Sequence, residues 1–220
     1  MQRKVTRMDR VRSVDGQEIA RQLRQARIED LKEILVNDIF VDQECAKMPI
    51  LLEIGCGHGH WLNLFSEQNP EYLCIGIDIM NKRVKKSCSK RDKRGLKNLF
   101  FYKAELTEFV DAFSTIGFYV DFIVFLFPDP WPKKRHFKNR MIQVPTMSDL
   151  RKIAKMDSRF CFRTDHKDYF DWTYQIVKKH PDWFLLEDTE DLPHESPTFF
   201  QELMGSYKSL VAKPMEPLDG

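Results

Sequence analysis

The segment Phe127-Pro128-Asp129-Pro130-Trp131-Pro132-Lys133-Lys134-Arg135-His136 puts a carboxylate, an aromatic plate and a run of cations into one short stretch of chain. It follows the apolar run Phe122-Ile123-Val124-Phe125-Leu126, which reads as a buried strand, so the segment sits where a strand empties into a loop. Each proline lacks an N–H and pushes its predecessor toward extended geometry, which favours a stiff, non-helical loop. With an extended period of two, Asp129, Trp131 and Lys133 share one side and the prolines the other. Such a loop can present charge to a polar substrate. The plain alternative is a proline-punctuated surface loop with a solvated basic tail, and the rest of the chain has to decide between them.

A second constellation is Glu53-Ile54-Gly55-Cys56-Gly57-His58-Gly59, with a glycine at every second position after the apolar run that begins at Ile50. Glycines between a strand and a helix allow a tight turn and a close backbone approach to a ligand. Nicotinamide, flavin and S-adenosylmethionine folds all use related loops, and a plain turn is also compatible. Glu53 sharpens the choice, because a carboxylate beneath the loop suits a cationic amino-acid moiety better than a pyrophosphate. Asp78 ends the next strand and is placed to accept from ribose hydroxyls. Glu105 follows the third strand, where adenine is held in such sheets; a helix N-terminal acid favoured by the dipole reads equally well.

These residues need a scaffold that gathers strand ends. Strand-like and helix-like stretches alternate: Ile50–Ile54, then Trp61–Glu67; Tyr72–Ile79, then Lys82–Arg91; Leu99–Tyr102, then Glu108–Phe113; Val120–Phe127, then Met147–Lys155; Phe160–Thr164, then Tyr169–Lys178; and last Phe184–Glu187 and Tyr207–Ala212. The pattern predicts a doubly wound, mostly parallel α/β sheet, which binds ligands at the carboxyl ends of its strands. Residues 1–45 form a basic N-terminal segment with a helix over Glu18–Leu35, whose Ile19, Leu23, Ile28, Leu31 and Leu35 are spaced to pack on the core. Residues 46–213 form one domain, and 214–220 a loose tail.

Composition narrows the partners. The 220 residues are 42% apolar and 31% charged, ordinary for a globular protein, with no apolar run approaching a membrane span and no signal peptide behind the basic start. A cytoplasmic location is the default. The five cysteines are scattered without a C-x-x-C pair, which argues for buried thiols over disulfides or a zinc site; no metal is expected. A net charge of +2 does not announce nucleic acid. Local clusters do: eight Lys/Arg lie between Arg3 and Arg27, and five between Lys133 and Arg140 without an acid. The latter run, with Phe137 inside it, has the composition of a backbone-tracking surface with a stacking option.

With these segments in hand, the chain resembles the tRNA (guanine-N7)-methyltransferase family of the single-chain bacterial type, over roughly Leu51–Lys213. The Pro-Asp-Pro-Trp-Pro-Lys-Lys-Arg-His element is its most specific mark. The resemblance implies a Rossmann-like seven-stranded sheet with a final antiparallel strand, S-adenosyl-L-methionine as cofactor, and tRNA as partner, with no membrane and no obligatory protein partner. It implies Glu53, Asp78, Glu105 and Asp129 as cofactor-site carboxylates, together with Gly55, Gly57 and Gly59, and Asp129 as the catalytic residue. It further implies Lys133, Asp165, Thr198 and Gln201 as substrate-binding positions, and Arg135, His136, Lys138 and Arg140 as RNA contacts. Two departures stand out. The late family motif Thr-x-x-Glu is Thr198-Phe199-Phe200-Gln201 here, with Glu202 one place later, and the third-strand acid, often Asp, is Glu105.

Guanine N7 carries a lone pair and no proton, so the implied reaction needs alignment and offset of positive charge rather than a general base. Asp165 can hold a base edge or cap the helix that follows, and Trp131 can stack on a base or anchor the loop. His58 and His136 lack the companions of an acid/base or metal site. Competing readings are a methyltransferase acting on an exocyclic amine, disfavoured by the single Pro130 before Trp131, and a non-catalytic RNA-binding subunit of the same fold, disfavoured by the intact glycine loop. A nicotinamide oxidoreductase is disfavoured by Glu53 and by the absence of G-x-G-x-x-G spacing.

Overall fold

The computed structural model describes residues 7–39, 47–187 and 206–216, with side chains of the first helix from Gly16 onward. In chain order the elements are α1 (Arg7–Ile39), β1 (Ile50–Ile54), α2 (His60–Gln68), β2 (Leu73–Asp78), α3 (Asn81–Arg94), β3 (Leu99–Lys103), α4 (Leu106–Ser114) and β4 (Val120–Leu126). A 3₁₀ helix (Lys134–Asn139), α5 (Val144–Arg151), β5 (Ala154–Thr164), α6 (Lys167–Lys179), β6 (Trp183–Leu185) and β7 (Lys208–Pro214) complete the fold. The strands form one seven-stranded sheet in the order β3-β2-β1-β4-β5-β7-β6, parallel from β3 to β5, with β7 antiparallel to both its neighbours. The strand order reverses between β1 and β4, and ligands of such sheets bind at that switch point.

Helices cover both faces, so β1 and β2 are buried along their whole length and read as continuous apolar runs rather than alternating ones. Alternate residues serve two cores. Leu52, Ile75, Ile123, Phe125 and Phe162 pack with α1, α4, α5 and α6 on one face. Leu51, Cys74, Phe101, Val124 and Cys161 pack with Trp61, Leu62, Phe65 and Val84 of α2 and α3 on the other. Glu53, two residues from Leu51, therefore points to the α2/α3 side at the carboxyl end of β1.

The structure changes several sequence expectations. The first helix is longer than Glu18–Leu35, and among its described side chains Ile28, Leu31, Leu35 and Ile39 are buried while Ile19 and Leu23 are 56% and 57% exposed. Ion pairs from Arg24 to Asp111 (2.6 Å) and from Arg27 to Glu108 (2.6 Å) secure the helix to α4. The helix expected through Lys155 ends at Arg151, and β5 starts at Ala154. A shift of register between Val120 and Phe122 lets β4 pair with both ends of this long strand, while Ser158 donates to the Val120 carbonyl (2.6 Å) and Lys155 pairs with Asp121 (2.5 Å). The tail does not begin at Pro214, which is buried in β7 opposite Trp183, and the Met215 N–H donates to the Asp182 carbonyl (2.9 Å).

The split of α1 can be measured. Leu35 is 0% exposed, so Leu35→Ala should destabilise the protein by about 3 kcal/mol, whereas Ile19→Ala should change stability by less than about 0.5 kcal/mol. Urea unfolding of the two variants checks this; equal losses would mean that Ile19 also packs.

Candidate functional site

The glycine loop is built on hydrogen bonds across the ends of β1 and β2. Gly55 and Cys56 N–H groups both donate to the Ile77 carbonyl (2.9 and 3.0 Å), and the Gly57 N–H donates to Asp78 Oδ2 (3.1 Å). Asp78 Oδ1 accepts the Met80 N–H (2.7 Å), which fixes the start of α3, and Arg83 stands 3.6 Å from Oδ2. Gly55, Gly57 and Gly59 all have positive φ, and at Gly59 a Cβ would also lie 2.7 Å from the Phe101 ring and 2.8 Å from Ser87 Cβ. A side chain there would drive α2 away from β3.

Glu53 lies beneath this loop, 5% exposed, and its Oε2 is buried without a hydrogen-bond partner. Burial, reinforced by the Asp78 charge, raises its pKa to about 8. An orphaned carboxylate in a cleft calls for a cation or a proton. Cys56 lines the same cleft at 7% exposure, and burial, followed by the Glu53 and Asp78 charges, raises its thiol well above the ordinary range.

Two adjoining cavities of about 330 and 340 Å³ share Gly55, Arg83, Phe127 and Asp129 and form one cleft at the switch point. Glu53, Gly57, His58 and Trp61 line one half; Asp78, Met80, Trp131 and Asn139 line the other. A larger hollow of about 610 Å³ lies between the 3₁₀ helix and α6, against Phe137, Trp172 and Ile176. Its exposed surface is mostly apolar, whereas the smaller cleft brings Glu53, Asp78 and Asp129 together at the strand ends, which makes it the candidate site.

Asp129 is exposed and lines both halves of the cleft. The loop that holds it is not the uniformly extended segment expected. Phe127 and Trp131 have φ of +49° and +44°, a conformation that costs a side-chain-bearing residue about 1–3 kcal/mol and persists only where surroundings fix it. The period of two is broken, so Asp129, Trp131 and Lys133 do not form one row: Trp131 is half-buried with its edge toward His136 (5.7 Å), and Lys133 is exposed at the start of the 3₁₀ helix.

Arg140 fixes the loop. It is 2% exposed, its Nε–H donates to the Pro130 carbonyl (2.9 Å), and its guanidinium lies 3.7, 5.0 and 5.3 Å from the rings of Phe137, Tyr169 and Trp172. This corrects the expectation of an RNA contact at Arg140: a guanidinium enclosed by three rings cannot reach a phosphate. Phe137 is likewise occupied, edge-on to Trp172 and covered by Arg140, which removes the stacking option. Gln143 Nε2 donates to the Phe137 and Arg140 carbonyls (2.8 and 3.2 Å) and closes the turn.

The remaining expected residues fall around the cleft rather than in it. Glu105 is exposed at the N-cap of α4 without a side-chain cap bond, and its neighbours Ala104 and Leu106 line the cleft. Asp165 is exposed beyond β5; the N-cap of α6 is His166, so Asp165 does not cap that helix. Arg135 and Lys138 are exposed, Arg135 Nε donates to His136 Nε2 (3.1 Å), and His136 is half-buried. Thr198, Gln201 and Glu202 lie outside the described residues, as does Cys45. Sequence reasoning missed Arg83 and Phe127 as cleft residues. Arg83, five residues after Asp78 on the next helix, was within reach of a periodicity argument; the turned backbone of Phe127 was not. Among the described residues no group of three His, Cys, Asp or Glu could hold a metal ion, and no helix is long and apolar enough to cross a membrane.

The fold is shared with solved methyltransferases of low identity. The aminoglycoside resistance methyltransferase NpmB1 superposes with a TM-score of 0.56 at 13% identity, covering 80% of this chain and 92% of that one. An antibiotic-related methyltransferase gives 0.54 at 20% identity, covering 84% and 94%. A family model described as putative methyltransferase matches residues 47–211. The tRNA (guanine-N(7)-)-methyltransferase of Agrobacterium fabrum is 33% identical over 131 residues, 60% of this chain and 56% of that protein. That of Lachnoclostridium phytofermentans is 32% identical over 146 residues, 66% and 67%, and that of Mycoplasma pneumoniae 30% over 165 residues, 72% and 76%. The matched part thus spans between about half and three quarters of these relatives. With the cleft lying inside that matched part, the chain belongs to the tRNA (guanine-N(7)-)-methyltransferase family.

Proposed function

We propose that this chain transfers the methyl group of S-adenosyl-L-methionine to N7 of a guanine in the variable loop of tRNA. The observation that carries the reading is the Pro-Asp-Pro-Trp-Pro-Lys-Lys-Arg-His segment standing over a cleft floored by the unpartnered Glu53 carboxylate. The cleft residues fit the cofactor. Glu53 Oε2 would hold its ammonium, Gly55, Gly57 and Gly59 would let it approach the backbone, and Asp78 would keep acceptor capacity for ribose hydroxyls beyond the two N–H groups it already takes. Glu105 would stand on the adenine side. When bound, S-adenosylmethionine supplies a methyl group made electrophilic by its sulfonium.

The protein's task is alignment. Asp129 accepts from the N–H edge of the guanine, aims the N7 lone pair into the cleft and offsets the positive charge that methylation leaves on the purine. Orientation of two reactants supplies about 7–11 kcal/mol, and no proton leaves N7. Lys133, Asp165, Thr198 and Gln201 bind the substrate, and Arg135, His136 and Lys138 meet the RNA backbone, bringing the flanking phosphates to the cleft mouth so that the base can leave its stack. A cytoplasmic setting follows from that substrate.

Incubation with labelled S-adenosylmethionine and unmethylated tRNA, followed by nucleoside analysis, should yield 7-methylguanosine; N6-methyladenosine or N2-methylguanosine alone would replace this reading with exocyclic-amine chemistry. In the same assay Asp129→Ala should lower the single-turnover rate about 100-fold or more while leaving tRNA affinity nearly intact.

Glu53 gives a pH signature. With its pKa raised to about 8 in the empty cleft, the carboxyl is protonated below that value and must ionise to meet an ammonium, so binding expels a proton and cofactor affinity rises as pH climbs toward 8. The sign for the empty fold is opposite, since stability from this group is present below pH 4.5 and lost as pH rises through 8. Titration calorimetry at about pH 6.5 in buffers of different ionisation enthalpy should read close to one proton released per cofactor. Glu53→Gln should abolish the release, and an unchanged release in that variant would move the proton elsewhere.

Arg135 and Arg140 separate surface from support. Arg135→Ala should flatten the slope of log tRNA affinity against log salt by about 0.7–0.9. Arg140→Ala should lower the melting temperature, with a stability loss of about 1–3 kcal/mol, and leave that slope unaltered.

A further inference from the structure

Among the described elements α3 has the largest net charge, and the cleft lining takes only Arg83 from it. It carries eight Lys/Arg against Asp92 alone, a net charge of +7 on 14 residues in a chain whose net charge is only +2, so the remainder is net acidic. Such an asymmetry produces a directed field rather than a uniformly solvated surface. Val84, Ser87, Cys88 and Arg91 face inward, which leaves Lys82, Lys85, Lys86 and Lys93 exposed on the outer face. Lys82 and Lys93 are eleven positions apart, about 16 Å along the helix.

Each arginine of α3 has a carboxylate partner: Arg83 with Asp78, Arg91 with Asp92, Arg94 with Glu67. Among the described residues Lys82, Lys85, Lys86 and Lys93 have none. Several like charges stand one turn apart, as at Lys82/Lys86, Lys86/Lys90 and Lys90/Arg94, an arrangement that disfavours an isolated helix. The surplus is felt by neighbours. Burial, then Lys86, Lys90 and Arg83, holds the His58 imidazole below its ordinary pKa, and burial, then Lys86 and Arg94, does the same to Lys90.

Placement gives the charge a partner. Arg83, at the start of α3, and His58 line the cleft on the β2 side of β1, while Asp129, Trp131 and Asn139, leading into the exposed cations Lys133, Lys134, Arg135 and Lys138, belong to the segment that follows β4 on its other side. A polyanion that delivers one base to Asp129 passes over both sides. We infer that the outer face of α3, through Lys82, Lys85 and Lys86, is a second RNA-backbone surface that holds tRNA phosphates on the side of the cleft opposite the 3₁₀ helix. This rests on the tRNA reading above. The contacts are sequence-independent, since lysines on a helix face meet phosphates as point charges and read no base edges.

The test is tRNA binding against salt for the wild type, for the triple variant Lys82→Gln/Lys85→Gln/Lys86→Gln, and for the same three positions changed to Arg. Gln keeps helix propensity and relieves repulsion, so the melting temperature should hold or rise. The Gln variant should flatten the slope of log affinity against log salt by about 2–3 and weaken binding by about one to two orders of magnitude at physiological salt. Cofactor affinity should not change, and the Arg variant should keep the wild-type slope. A Gln variant with wild-type affinity and slope would overturn the assignment, as would equal losses in the Gln and Arg variants, which would mean shape rather than charge. A wild-type protein that fails to bind tRNA at all would instead strike the tRNA reading.

Discussion

The Asp78 carboxylate is the joint on which the candidate site turns. At the end of β2 it accepts the Gly57 N–H from the glycine loop and the Met80 N–H from the start of α3, and it faces Arg83 one turn into that helix. One buried charge thus sets the loop, the point of departure of α3, and a fixed negative potential under the cleft. Glu53 sits in that potential without a partner of its own. Two carboxylates sharing a low-dielectric floor cannot both be comfortably ionised until a cation arrives. Asp78 is held by backbone donors, and Glu53, which has none, is the acid whose pKa is raised. The division of labour follows from burial and from which acid has hydrogen-bond donors: the acid that braces the protein is separate from the acid that waits for a ligand.

The opposite rim of the cleft is organised by a cation in the same manner. Arg140 is surrounded by Phe137, Tyr169 and Trp172 and tied to the Pro130 carbonyl, so the turned backbone at Phe127 and Trp131 is held from beneath. The Phe127 N–H donates to the Arg163 carbonyl (2.8 Å), which fastens the loop to the end of β5 at its other side. Prolines stiffen the segment, but they do not aim it; Arg140 and the β5 bond do. Asp129 stands between those two fixings, which is how an exposed carboxylate can still have a defined place over the cleft.

How much of this was legible in the sequence depended on whether a residue's type matched its surroundings. β1 to β4 were readable to within a residue or so at each end because both faces are covered and the strands are plain apolar runs. The start of β5 was not, since Lys155, Met156 and Asp157 carry no strand signature and are extended only because β4 offers a partner across a shift of register. The Asp129 loop, the glycine turn, Glu53 and Asp78 were visible as types at strand ends. Arg140 misled for the converse reason: a cation in a cationic run reads as surface, and its burial is created by Phe137 inside the run together with Tyr169 and Trp172 of α6, far along the chain. The charge of α3 was in plain view but had no meaning until the fold set it against the cleft wall.

Cys56 draws a last consequence from the same pair of acids. A soft sulfur nucleophile in the lining of a cleft that admits an alkylating sulfonium would be a suicide position if it ionised, because the thiolate and not the thiol attacks carbon. Burial and the neighbouring Glu53 and Asp78 charges keep that proton on sulfur. The negative floor that would attract the donor's ammonium therefore also disarms a thiol beside it that could consume the methyl group, so chemical lifetime and ligand affinity share an electrostatic origin at this position.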